Sequence, residues 1–114
     1  MSYPLVEITN STNYIVSGKV DYMGAFCSDD SYTVTPNTTW TTSSRGVCLL
    51  TKVSATVKTP NGEIVAKPYE SSGTSYSRFA IIQTGSTSFE VTRIVNLVEK
   101  NIPEDYLEPT EQQK

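Results

Sequence analysis

The sequence predicts an all-β chain: a single-domain antiparallel β-sandwich of seven or eight short strands, followed by a short, flexible, acidic C-terminal tail. Three observations carry this reading. Serine and threonine supply 30 of the 114 residues and alternate with Val, Ile, Tyr and Phe at a period of two, the spacing of strands with one dry and one wet face. Clusters of Asn, Gly, Pro and Ser recur at intervals of about 8–12 residues, the turn rhythm of a sandwich or small barrel. Helical spacing is nearly absent. Only residues 94–102, with apolar positions at 94, 95, 98 and 102, read equally as a helical turn or two and as the continuation of a strand.

Taken in order, Tyr3 to Thr9 form a first strand, with Pro4 near its start, where a missing donor is tolerated. Asn10-Ser11-Thr12-Asn13 is turn chemistry. Tyr14, Val16, Gly18, Val20 and Tyr22 then share one face, with Ser17, Lys19 and Asp21 on the other, and Gly18 marks a bulge or a close backbone approach. Residues 23–30 read as a loop, Ser31 to Thr35 as a short strand ending at Pro36-Asn37, and Thr38 to Thr42 as a strand centred on Trp40. After Ser43-Ser44-Arg45-Gly46 comes the strongest strand, 47–58, whose odd positions are apolar apart from Thr51, so that Val47, Leu49, Val53, Ala55 and Val57 fall on one face. Thr59-Pro60-Asn61-Gly62 predicts a hairpin with a type I′ turn at Asn-Gly, and its partner strand is Glu63 to Tyr69. Residues 71–74 are a flexible break. Residues 75–84 and 87–97 are the last strands, joined at Gly85-Ser86, with Phe79, Ile81, Phe89 and Val91 as core anchors.

The domain spans residues 1–98 and the tail residues 99–114. At this length folding buries roughly 60–70% of the unfolded chain's surface, enough for one core without a metal. No stretch approaches the roughly 20 apolar residues of a membrane-spanning helix. The tail holds five carboxylates against two lysines and so accounts for the whole net charge of −3. The remaining 98 residues balance to zero without a basic run, which argues against nucleic acid as a partner. Met-Ser-Tyr-Pro-Leu-Val lacks the charged and apolar regions of a secretory signal, so the compartment stays unassigned. Few lysines and many hydroxyls lean towards an extracytoplasmic life.

The chain has no histidine, which removes the commonest general base and the commonest transition-metal ligand. With no Ser-His-Asp or Cys-His site available, the sequence predicts no enzyme, no catalytic residue, no cofactor and no metal. Cys27 and Cys48 admit two readings, a disulfide in an oxidising compartment or, for Cys48, a small buried hydrophobe in the cytosol. Trp40 lies between them, but a gap of 20 residues is too short for the immunoglobulin pattern, and Gly46 stands where that pattern has a tyrosine. Asp29-Asp30 reads as a self-bonded Asx turn, since two adjacent carboxylates fall short of the 6–8 oxygens calcium takes. Asn10-Ser11-Thr12 and Asn37-Thr38-Thr39 match the N-glycosylation acceptor pattern, but about 1.6 such matches arise by chance at this composition.

One segment breaks the alternation. Residues 68–78 contain Tyr69, Ser71, Ser72, Tyr76 and Arg78, the Tyr/Ser/Gly/Arg chemistry of antibody loops, in which tyrosine gives rigid contact area and serine adaptable hydrogen bonds. Trp40 and Arg45 form a second contact patch if exposed. The plainer alternative is an inter-strand loop with Trp40 in the core. The leading functional expectation is a non-catalytic module that binds a protein or glycan through strand-end loops. A membrane-acting sandwich ranks second, and a structural subunit whose edge strand pairs with a second copy ranks third.

Overall fold

The computed structural model describes residues 3–24 and 26–94. The acidic tail over 99–114, and the helix-or-strand alternative beyond Ile94, lie outside the described residues. Among the described residues there are nine strands and no helix: β1 (Glu7–Asn10), β2 (Ile15–Tyr22), β3 (Asp30–Val34), β4 (Thr39–Thr41), β5 (Leu50–Thr59), β6 (Gly62–Val65), β7 (Tyr69–Thr74), β8 (Arg78–Gly85) and β9 (Ser88–Arg93). They make two sheets. The first has the order β4-β1-β8-β9, and the second has the order β3-β2-β5-β6, with β7 also on β5. Every pairing between strands is antiparallel except β1 with β8. Those two strands are separated by most of the chain, so no hairpin constrains their direction.

The alternation places the core as expected. Val6, Ile8, Phe79, Ile81, Phe89 and Val91 of the first sheet face Val16, Val20, Tyr32, Val34, Val53, Ala55 and Val57 of the second, and all are buried. Gly18 is a close approach of two backbones. A Cβ there would overlap the Ser54 carbonyl oxygen and lie 2.8 Å from the Tyr32 hydroxyl oxygen. The space left by glycine lets the Tyr32 hydroxyl donate to that same carbonyl at 2.7 Å.

Three local expectations change. The hairpin after β5 forms, but Thr59 pairs with Gly62, which leaves Pro60 and Asn61 at the turn centre. Proline presets the first central residue of a type I turn and cannot take the positive φ of type I′, so the positive φ falls on Gly62, at 122°. In the strongest strand the inward phase slips at an irregularity between Leu50 and Lys52. Leu50 is therefore buried, and the strand begins there and not at 47, so Val47, expected on the core face, lies exposed in the preceding loop.

The third change concerns residues 71–74, expected as a flexible break after a strand running to Tyr69. That strand ends at Val65 as β6, and residues 71–74 belong to β7, whose Tyr69, Glu70 and Thr74 pair with Val53, Lys52 and Leu50. Hydrogen bonding to an established strand outweighs the weak strand preference of Glu-Ser-Ser-Gly. β6 and β7 thus lie in line along one edge of β5. Between them the chain steps across to the first sheet: the Lys67 N–H donates to Phe89 O at 2.9 Å and the Val91 N–H to Lys67 O at 2.8 Å. This crossing stitches the two sheets together along one side.

Candidate functional site: the disulfide-bonded end

One end of the sandwich gathers the starts of β1, β3, β5 and β8 and the ends of β2, β4, β7 and β9. Its two longest loops, residues 23–29 and 42–49, are joined by a disulfide between Cys27 and Cys48, with Cα atoms 5.9 Å apart. Of the two readings of these cysteines, the bridge is the one formed. Crosslinking residues 21 apart stabilises the fold by roughly 3 kcal/mol in the chain-entropy model. The Met23 N–H also donates to Leu49 O at 2.8 Å, so the loops meet at a second point.

Under the bridge lies Arg45, only 5% exposed. Its Nε donates to Cys48 O, one terminal nitrogen to the carbonyls of Pro4, Ser75 and Tyr76, and the other to Thr74 O, at 2.7–3.2 Å. The ring of Tyr3 lies 5.5 Å from the guanidinium carbon. The planar, five-donor guanidinium suits this task because its three nitrogens can reach carbonyls of separate segments at once, one terminal nitrogen being shared among three of them. Arg45 therefore ties the N-terminal segment, its own loop and the β7–β8 connection into one body.

Beside it, Asp30 accepts the Tyr22 and Thr42 hydroxyls, each at 2.9 Å. Burial, and then the hydrogen bond to Asp30 with that carboxylate's charge, raise the Tyr22 hydroxyl well above the usual tyrosine range. Asp29 accepts the Tyr22 N–H at 3.4 Å. The expected Asx turn is not what these bonds make: Asp30 opens β3 and accepts two side-chain hydroxyls, and Asp29 reaches back to the end of β2.

The outer surface of this end carries exposed apolar side chains. Phe26 is fully exposed at 101%, Val47 at 66% and Met23 at 45%. Phe26 precedes one half-cystine and Val47 precedes the other, so the bridge holds them on adjoining loops. Leu5 is also exposed, and the Tyr3 N–H donates to Gly46 O at 2.8 Å, laying residues 3–6 alongside the Arg45 loop. Around these residues Ser28, Ser43 and Ser44 are exposed hydroxyls.

The residues singled out from sequence do not converge on one surface. Trp40, on β4 opposite Ile8, is half-buried against Tyr32 with ring centroids 5.4 Å apart. Arg45 is buried and serves the fold instead of a contact patch. Tyr69 is half-buried against Phe79, 4.8 Å between centroids. Ser71 Oγ accepts the Gly73 N–H, while Ser72 is exposed on β7. Tyr76 is half-buried under the Arg93 guanidinium, 3.4 Å from its ring centroid, and Arg78 is exposed and paired with Glu7 at 3.7 Å. Met23, Phe26 and Val47 were not singled out. Phe26 sits in a loop with no periodicity, and the period of two assigned Val47 to the core.

The two acceptor asparagines differ in the fold. Asn10 is wholly buried; its amide donates to Tyr14 O and Val34 O, and its oxygen accepts the Thr12 N–H and hydroxyl. Asn37 is exposed in the β3–β4 turn at a φ of 58°.

No protein family model matches the chain, and no curated protein or solved structure matches it significantly. The disulfide fits an extracytoplasmic location, and among the described residues no helix is long and apolar enough to cross a membrane.

Proposed function

We propose that this protein is a non-catalytic binding module that engages its partner through strand-end loops, and that the loops concerned are those of the disulfide-bonded end. The observation that carries the reading is the wholly exposed Phe26, with exposed Met23 on its own loop and exposed Val47 on the loop that the bridge staples to it and Arg45 anchors. Exposed apolar side chains on loops that a rigid scaffold holds in place are the usual make-up of an interaction site. Pre-ordered loops also lose little conformational entropy on binding, which favours affinity. The Tyr/Ser segment at 69–74 contributes less to this reading, because its main chain is paired to β5 and Tyr69 packs on the core.

An array of immobilised glycans, peptides and phospholipids tests the proposal. The wild-type chain is expected to be captured, and the Phe26→Ser/Val47→Ser variant to be lost from the same spots with its melting temperature unchanged. Absence of capture by the wild type, or equal capture of the variant, overturns it.

A further inference from the structure

We infer that the partner of the disulfide-bonded end is a lipid surface with zwitterionic headgroups, into whose boundary Phe26, Val47 and Met23 insert. This rests on the reading of that end as a binding site and adds the class of partner. Shape gives the first reason. Phe26 is exposed over its whole surface, so no described side chain covers it and it is presented to solvent as an apolar protrusion. A protein or glycan partner needs a pocket cut to fit such a projection, whereas the acyl boundary of a bilayer accepts an apolar protrusion without one.

Charge gives the second. Loops 23–29 and 42–49 contain two charged residues, Asp29 and Arg45. Arg45 is buried beneath the tip and bonded to carbonyls, leaving Asp29 as the exposed charge on these loops. These two loops therefore offer no exposed cation to anionic headgroups, and Asp29 is repelled by them; Arg78, exposed at the start of β8 on the same end, is paired with Glu7. A zwitterionic surface carries no such penalty. Ser28, Ser43 and Ser44, exposed on the same two loops, supply hydroxyls that can donate to headgroup phosphates and carbonyls.

The third reason is the staple. The bridge and Arg45 keep the apolar side chains presented outwards, where a looser loop would fold them back on the sandwich.

The test is co-sedimentation of the full, oxidised chain with phosphatidylcholine vesicles and with vesicles containing phosphatidylserine. Binding is expected to phosphatidylcholine, weaker by several-fold when phosphatidylserine is added. Phe26→Ser should lower the partition coefficient at least tenfold and Phe26→Ser/Val47→Ser should abolish it. Val65→Ser, on the equally exposed edge strand β6, should leave it unchanged. In Phe26→Trp the added emission should shift to the blue on binding and be quenched by brominated acyl chains. No sedimentation, sedimentation that survives the double variant, or preference for phosphatidylserine overturns the inference. If vesicles fail while Phe26-dependent capture of a glycan or peptide persists on the array, the lipid assignment falls and the binding module stands. If both fail, both fall.

Discussion

Gly18 and Arg45 show how much of this fold hangs on single side chains. At Gly18 a methyl group would meet the Ser54 carbonyl oxygen, a main-chain atom that cannot swing aside. To admit it, β2 must move away from β5, and the Tyr32 hydroxyl, 2.8 Å from the added atom, must give way as well. Gly18→Ala is therefore expected to cost about 3 kcal/mol, the upper part of the range for overpacking, and urea denaturation would measure it. A loss below ~0.5 kcal/mol would refute the close-approach account.

Arg45 acts through hydrogen bonds. Its removal leaves five carbonyl oxygens, those of Pro4, Cys48, Thr74, Ser75 and Tyr76, without these donors. Arg45→Met keeps the apolar stem but not the donors, and is expected to destabilise by about 3 kcal/mol, since a bond to a charged group contributes about 1.5–3 kcal/mol and the set is not additive. Arg45→Lys should recover only part of this, because an ammonium has three donors and no planar fork. Full rescue by lysine in the same denaturation series would show that charge alone matters.

At the level of elements, the two loops of the disulfide-bonded end are anchored unequally. Loop 42–49 is held by the Arg45 side chain, by the Tyr3–Gly46 and Thr42–Val6 main-chain bonds and by the bridge. Loop 23–29 has the bridge, the Met23–Leu49 bond at its start and the Asp29–Tyr22 bond at its end. Reduction should therefore loosen the Phe26 loop and leave the Arg45 loop in place. Chymotryptic cleavage after Phe26 is expected to accelerate at least tenfold with dithiothreitol, while tryptic cleavage after Arg45 stays slow. Mass spectrometry of the fragments would show it. Equal acceleration at both sites would mean that reduction unfolds the whole chain.

For the whole molecule, the pH dependence follows from two tyrosines. Burial raises Tyr32 above the usual tyrosine range, and burial with Asp30 does the same for Tyr22. Both hold their protons more tightly in the native state than in the unfolded chain. Their contribution is thus fully present below the ordinary tyrosine value near 10.0 and is lost as pH rises above it. Alkaline titration followed at 295 nm should show these two hydroxyls ionising only together with the loss of β-sheet circular dichroism. Smooth ionisation of every tyrosine near pH 10, with the sheet intact, would contradict the burial of Tyr22 and Tyr32.

The sequence by itself determined what strand periodicity determines: an all-β chain, the inward faces of β2, β5, β8 and β9, and Phe79, Ile81, Phe89 and Val91 as core. A period of two is local, so it survives in the residues whatever the topology. The absence of histidine is equally plain in the sequence and needs no fold to be read. What tertiary structure decided is everything that depends on a distant partner. β7 exists because β5 offers it an edge, Val47 is exposed because β5 begins only at Leu50 and leaves it in the stapled loop, and Arg45 is buried because carbonyls from three separate segments converge on it. The candidate site shifted for the same reason. Composition pointed to the tyrosines and serines of 68–78, where main-chain pairing and core packing claim much of the segment. Exposure of Phe26 on a stapled loop has no signal along the chain, because it is fixed by where residues far apart in sequence leave a side chain with nothing to touch.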